Sequence, residues 1–410
     1  MVRVLPGILT LGALLCGSAT WAVEITLAQF RQRESPVETE LLAQFEAAHP
    51  GVRVRQMEMP ASTDGQHQQY VTWLVAGDPG VDVYLIDVIW VAEFAAAGWL
   101  LPLDPLLPPP LRAEFFPSLL RAVTYRGKLF ALPRFTENGL LYYRSDLVPD
   151  PPATWDALVA SAKTHQRGDV AGFVFQGLQY EGLVVNFLEH LWARRGRVFD
   201  VDGRPAFQGP AGVTALTFLV DMVHRWRISP PGVMTYMEQE SLREFLEGRA
   251  VFHRNWAYAW SQAQRHDSKV RGHVGVAPLP GTSGHPGVGA LGGWNLALSR
   301  SSRHPREAWQ LMNWLTSREA QRRKALGEGR IPTLPAPYDD PGVLRANPHF
   351  AVLKDALPQA RPRPASPFYP RLSGILQGYL SRGLTQAMTP GDALSAAAAE
   401  VARAVPHPFP

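Results

Sequence analysis

GVDVYLIDVIW, residues 80–90, is apolar at almost every position and carries only two acids, Asp82 and Asp87. A strand with one wet face alternates apolar and polar side chains, so an almost unbroken apolar run predicts a central strand covered on both faces. Strands of that kind belong to α/β proteins, where helices pack on both sides of a sheet. The chain before it agrees. VEITLAQF, residues 23–30, alternates Val23, Ile25 and Leu27 as a strand does, and VRVRQMEM, residues 52–59, resumes one. Between them Ser35, Pro36 and Glu38 form a helix start with a capping box, Val37, Leu41, Phe45 and Ala48 recur at helical spacing, and Pro50–Gly51 ends the run. Strand, helix, strand is the building block of a parallel sheet.

Beyond residue 90 the pattern continues. A helix ends at Gly98, RGKLFALPRF (126–135) reads as a hairpin, and from NGLLYYRSDL (138–147) onward strands and helices alternate again, with Thr154 capping a helix. A chain of 410 residues exceeds the size at which one core stops growing. The simplest architecture is two α/β units joined by more than one crossing segment.

Composition excludes several classes. With 46% hydrophobic and 19% charged residues the chain is globular. A net charge of +4 is spread singly or in pairs such as Arg194–Arg195 and Arg322–Arg323, without aromatic interleaving, so nucleic acid is not an expected partner. One Arg, the apolar LPGILTLGALLCG and small residues up to Ala22 read as a signal peptide, residues 1–22, and hence an exported protein, periplasmic or at the cell surface. Cys16, the single cysteine, leaves lipidation as an alternative, although bulky Leu14 and Leu15 precede it. No zinc-ligand spacing, nucleophile elbow, P-loop or dinucleotide fingerprint is present, and no cofactor or metal is expected.

Ligands of open α/β sheets bind beyond the carboxyl ends of the strands. Glu34, Asp87, Glu137 and Glu181, the last beside Tyr180, all fall where predicted strands emerge. Carboxylates grip vicinal hydroxyls and rings cover the C–H face of a sugar, so the combination suits carbohydrate. Each acid also reads as a solvated loop residue or a helix-start charge. In NWAYAW (255–260) Asn255 reads as a helix N-cap, which puts Trp256 at the mouth and Trp260, four residues on, in the core, with Tyr258 open. Trp294 stands beside Gly292 and Gly293, where an indole is left exposed in a cleft. Paired carboxylates also leave glycoside hydrolysis open.

DVIWVAEFAAAGWLLPLD (87–104), NGLLYYRSDL, FQGLQYEGLVVNFLEHLW (175–192), FLEGRAVFHRNWAYAW (245–260), VGVAPLPG (274–281), GGWNLALS (292–299) and ARPRPASPFYPRLSGILQ (360–377) span nearly the whole chain after the leader. Together they resemble the sugar-binding proteins of bacterial ABC importers, in the trehalose/maltose-binding group related to maltose-binding protein. The resemblance implies two lobes, 23–133 with 297–345 and 134–296 with 346–410, each a mostly parallel sheet flanked by helices, closing on a sugar at a hinge. It implies that Glu34, Asp87, Glu137, Tyr180, Glu181, Trp256, Trp294 and Arg363 line the cleft. It further implies a monomer that captures an α-glucoside such as trehalose or maltose, delivers it to a membrane permease and makes no bond. Glu137 stands where the family has a familiar Asp, and Phe135 where it often has Tyr, which puts the preferred disaccharide in question. A secreted glycoside hydrolase and a binder of a different solute remain the alternatives.

Overall fold

The computed structural model of the chain describes residues 22–30, 36–60 and 62–405. The leader with Cys16, Glu34 and the Ser35 cap lie outside the described residues.

Two sheets organise the molecule. The first has six strands: β1 (Val23–Phe30), β2 (Val52–Met59), β3 (Val83–Asp87), β6 (Ala131–Asn138), β11 (Ala290–Leu298) and β12 (Arg361–Pro362). The second has four: β7 (Leu140–Arg144), β8 (Ala171–Val174), β9 (Ala250–Asn255) and β10 (Val274–Pro278), in the order β10-β7-β9-β8. The hairpin expected over 126–135 sits earlier, as β4 (Thr124–Tyr125) with β5 (Lys128–Leu129) turning through Arg126 and Gly127, both at positive φ, while 131–135 runs into β6 and pairs with β11 instead.

The apolar run at 80–90 forms the centre of the first sheet, as its lack of alternation requires. All five residues of β3 are buried, with β1 parallel on one edge and β11 antiparallel on the other. The strand stops at Asp87, earlier than the apolar run does, because the Asp87 carboxylate accepts a hydrogen bond from Ile89 N at 3.2 Å and starts a short 3-10 turn at Val88–Trp90. Helix α1 (Pro36–Ala48) joins β1 to β2, and α2 (Thr63–Val75), capped by Ser62, joins β2 to β3. Glu38, read as half of a capping box, is buried, and its carboxylate takes Arg134 Nη2 and Lys324 Nζ, each at 2.6 Å.

The α/β architecture is as expected, but both sheets are mixed. In the first, β1–β2, β1–β3 and β11–β12 are parallel while β3–β11 and β6–β11 are antiparallel. In the second only β8–β9 is parallel, so "mostly parallel" does not describe it. The reason is chain path: a helical crossover returns a strand parallel, whereas strands that pass directly between the sheets arrive in either direction.

Among the described residues those passes are three, and they are bonded together. Gly139 links β6 to β7 and donates to Ala290 O at 3.2 Å; Gly289, which leads into β11, accepts from Arg361 N at 2.9 Å. The expected lobe boundaries at 133/134 and 296/297 fall inside β6 and β11, both of which belong to the six-stranded sheet. Around the second sheet lie α3 (Glu181–Ala193), α4 (Pro210–His224) and α5 (Glu238–Leu246); α6 (Ala259–Ala263) follows β9. Helix α7 (Arg318–Glu328) packs on α1, and the C-terminal α8 (Tyr369–Leu384) and α9 (Pro390–Ala404) pack on α3 and α4. Among the described residues no helix is long and apolar enough to cross a membrane.

Candidate functional site

Two carboxylates from distant parts of the chain meet at Arg363, which follows β12. Its Nη2 donates to Asp87 Oδ1 at 3.1 Å and its Nη1 to Glu181 Oε1 at 2.8 Å. Asp87 ends β3 of the first sheet, and Glu181 opens α3 beside the second, so one guanidinium ties the two halves. Its fork serves two carboxylates at once, which a point charge does not. Glu181 also accepts from Tyr369 Oη at 2.7 Å and from the Ser373 hydroxyl. Burial raises the Asp87 carboxyl above the usual range, with Arg363 opposing that rise. Asp64, in the first turn of α2, belongs to this cluster: burial and then the Glu181 charge raise its carboxyl, while Gln377 lowers it.

A second group surrounds Trp256. Glu137 on β6 faces Gly292 on β11, and its Oε2 accepts from Ala257 N at 3.0 Å. Arg330 lies 3.5 Å from Glu137 Oε1 and stacks over Phe135, 4.5 Å from the ring centroid. Burial pushes the Glu137 carboxyl up to about 7, with Arg330 holding it back. Gly292 lets the strand pass close to the ring, since a Cβ there would press on Trp256 at 3.3 Å and on the Glu137 Cβ at 3.2 Å. Arg254, fixed by a buried two-pronged pair with Glu189 at 2.6 and 2.8 Å, covers one face of that indole, 4.1 Å from its centroid. The indole Nε1 donates to Glu238 Oε1 at 3.3 Å, and Glu238 Oε2 accepts from Tyr180 Oη at 2.8 Å. Burial raises the Tyr258 phenol, and the nearby charges of Glu238 and Glu137 add to the rise.

Trp294 stands between the two groups in register, opposite Asp87 on β3 and Phe135 on β6. Its ring meets Phe30 edge-on at 4.7 Å and Trp90 at 5.7 Å, and it is half-buried.

The structure thus joins Asp87, Glu181 and Arg363 directly, and links Tyr180 to Trp256 and Glu137 to the residue after Trp256. Two details of NWAYAW differ from expectation. Asn255 is the last residue of β9, not a helix cap, and accepts from Trp256 N at 2.7 Å; α6 begins only at Ala259. Trp256 therefore leaves the strand end by itself, and Trp260 is half-buried against His349, 5.1 Å between centroids, not a core anchor. Glu238, Arg330 and Asp64 were not singled out from the sequence. Glu238 and Asp64 are first-turn acids, which the helix dipole alone explains, and Arg330 follows a Gly that ends a helix.

A surface cavity of about 360 Å³ lined by Trp155, Arg194, Phe218 and Trp226 shares no residue with these groups. Among the described residues no three His, Cys, Asp or Glu side chains are grouped to hold a metal ion.

Residues 30–322 match the family described as bacterial extracellular solute-binding protein. A probable ABC transporter-binding protein of Deinococcus radiodurans is 34% identical over 87% of this chain and 88% of its own. Among solved structures, maltose-bound MalE3 of T. maritima is 39% identical, with a TM-score of 0.90 over 93% of this chain and 100% of that one. An ABC transporter solute-binding protein of Thermotoga lettingae, bound with α-D-tagatose, is 25% identical, with a TM-score of 0.84 over 93% and 98%. With its two-lobed α/β fold, the chain belongs to the bacterial extracellular solute-binding proteins, which bind a solute and are not enzymes.

Proposed function

We propose that this protein captures an α-linked glucoside, a di- or oligosaccharide of the maltose or trehalose kind, and hands it to the permease of an ABC importer. The sugar lies between a first lobe on the six-stranded sheet and a second on the four-stranded sheet, against Asp87, Glu137, Tyr180, Glu181, Trp256, Trp294 and Arg363. One observation carries the reading: acids and arginines alternate at the site, Asp87 and Glu181 sharing Arg363 and Glu137 facing Arg330, while Glu238 accepts from Tyr180 and Trp256. A lining of carboxylates and guanidiniums offers many directed acceptors and donors, which suits a polyhydroxylated ligand.

The indole argues the same way. Arg254 already covers one face of Trp256, so a cationic solute on the other face meets a ring whose attraction for cations is already engaged. That weighs against a polyamine. A sugar's C–H face needs only a flat apolar surface. The similarity to a maltose-bound protein supports the α-glucoside, while the tagatose-bound relative marks how widely the family's ligands vary. No bond is made or broken. Sugar contacting both lobes favours the closed arrangement, and the permease reads that arrangement.

Calorimetric titration against maltose, trehalose, maltotriose, sucrose, mannitol and tagatose tests this. Saturable heat with maltose or trehalose at micromolar concentrations is expected. Heat only with mannitol or tagatose would reassign the substrate, and silence across the whole panel would remove the sugar site.

A further inference from the structure

Trp256 is held on several sides and stays half-buried. Arg254 covers one face at 4.1 Å, Gly292 passes the far edge of the ring, and Glu238 takes the indole N–H at 3.3 Å. Its backbone is fixed as well, since Trp256 N donates to Asn255 Oδ1 at 2.7 Å and Tyr142 Oη donates to Trp256 O at 2.8 Å. Of these contacts, only the Glu238 bond acts on the ring's in-plane polar atom. An indole sliding over a guanidinium loses little, because the cation–π attraction varies slowly with lateral position. A hydrogen bond is directional and fixes the ring's rotation.

Glu238 is itself held. Its other oxygen accepts from Tyr180 Oη at 2.8 Å, and its backbone carbonyl accepts from Asn255 Nδ2 at 3.5 Å. Glu238 opens α5 and Tyr180 precedes α3, so two helix starts converge on one ring. From this geometry we infer that Glu238 is a positioning residue for sugar recognition: braced by Tyr180, it sets the rotation of Trp256 and so the open face on which the sugar stacks. The inference rests on the reading of Trp256 as a sugar platform, but the brace itself does not.

The test uses the full-length protein labelled with 5-fluorotryptophan, the Trp256 resonance being assigned with Trp256→Phe, and maltose as the titrant. Without sugar, Glu238→Ala should shift or broaden the Trp256 resonance and leave the other tryptophans in place. Glu238→Gln, whose amide oxygen still accepts the indole N–H, should keep the resonance near its original position. Tyr180→Phe should shift it partway. With maltose, Glu238→Ala should weaken binding about tenfold, the loss of one hydrogen bond to a charged group. In a Trp256→Ala background the same substitution should cost nothing further, because Glu238 acts through the ring. A tenfold loss that persists without Trp256 would show that Glu238 touches the sugar itself and overturn the positioning role. An unmoved Trp256 resonance in Glu238→Ala would overturn it too. If the wild-type protein binds no sugar, the platform reading fails, and the sugar-free resonances still decide whether Glu238 sets the ring. Should Glu238→Ala not fold, Glu238→Gln and Tyr180→Phe carry the same comparison.

Discussion

Glu137 keeps a carboxylate where water is scarce. Its oxygens meet one backbone amide and one guanidinium 3.5 Å away, and burial lifts its pKa from an ordinary carboxylate value to about 7. An acid whose folded pKa is raised holds its proton longer in the folded state, so between about 4.5 and 7 the folded protein binds more protons than the unfolded chain. This group's contribution to stability therefore falls as pH rises through that window and is level above it. Glu137→Gln, which still accepts from Ala257 N, should lack that part of the slope. Melting temperatures of both proteins from pH 4.5 to 8 give the comparison, and parallel curves would remove Glu137 as the source. The sequence made Glu137 legible as a candidate because the expected strand stops just before it; in the structure β6 runs on through Asn138, so Glu137 is a strand residue facing Gly292. Its partner Arg330 was not legible, being nearly 200 residues away in a loop; nothing local in GEGRIPT marks a side chain that reaches another strand.

At the scale of elements, period and capping carried most of the reading, and what they could not carry was the destination of charged groups. α1 was legible from its spacing, yet the same spacing did not show that Glu38, read as a capping acid, is a buried anion between Arg134 and Lys324. Burial works against its charge, but the two cations overcome that and lower its pKa to about 2. Its stabilisation is therefore present above the ordinary carboxylate pKa and lost as pH falls toward 2. Glu38→Gln leaves two buried cations short of an anion and should cost about 3–5 kcal/mol in urea denaturation at pH 7. A loss below about 1 kcal/mol, the range of exposed pairs, would contradict this. Strand direction was illegible for a related reason, since an apolar run does not say whether its neighbour arrives by helix or by a direct pass. The first pass depends on Gly139, where a Cβ would lie 2.0 Å from Glu189 Oε1 and 2.7 Å from Arg254 Nη2. That carboxylate is pinned by Arg254 and by Ala290 N, so it has nowhere to move. Gly139→Ala should cost about 1–3 kcal/mol by overpacking. It should also weaken sugar binding, since Arg254 backs Trp256; wild-type stability would mean the hinge accommodates the methyl.

At the scale of the molecule, the two sheets are linked by covalent passes and by the Asp87–Arg363–Glu181 bridge. Sequence similarity pointed to Arg363, but the residue's chemistry is plain only when both sheets are present, because its two acids lie 276 and 182 positions away. A bridge of this kind favours the arrangement that brings Asp87 and Glu181 together. Removing the guanidinium leaves two buried carboxylates facing each other, and like charges favour separation. Arg363→Met should therefore shift the lobes toward an open arrangement and weaken sugar binding at least about tenfold, equivalent to roughly 1.4 kcal/mol. Small-angle scattering separates that outcome from a loss of fold. Saturating maltose should reduce the radius of gyration of the wild-type protein, while Arg363→Met should start larger and contract only at higher sugar concentration. Lowering the pH should partly restore contraction, because burial has already raised the Asp87 carboxyl and protonation removes the repulsion. Arg363→Lys should fall between the two, since one ammonium replaces a fork that reaches both acids. A variant that melts earlier but contracts with maltose as the wild type does would confine Arg363 to stability and leave closure to the sugar alone.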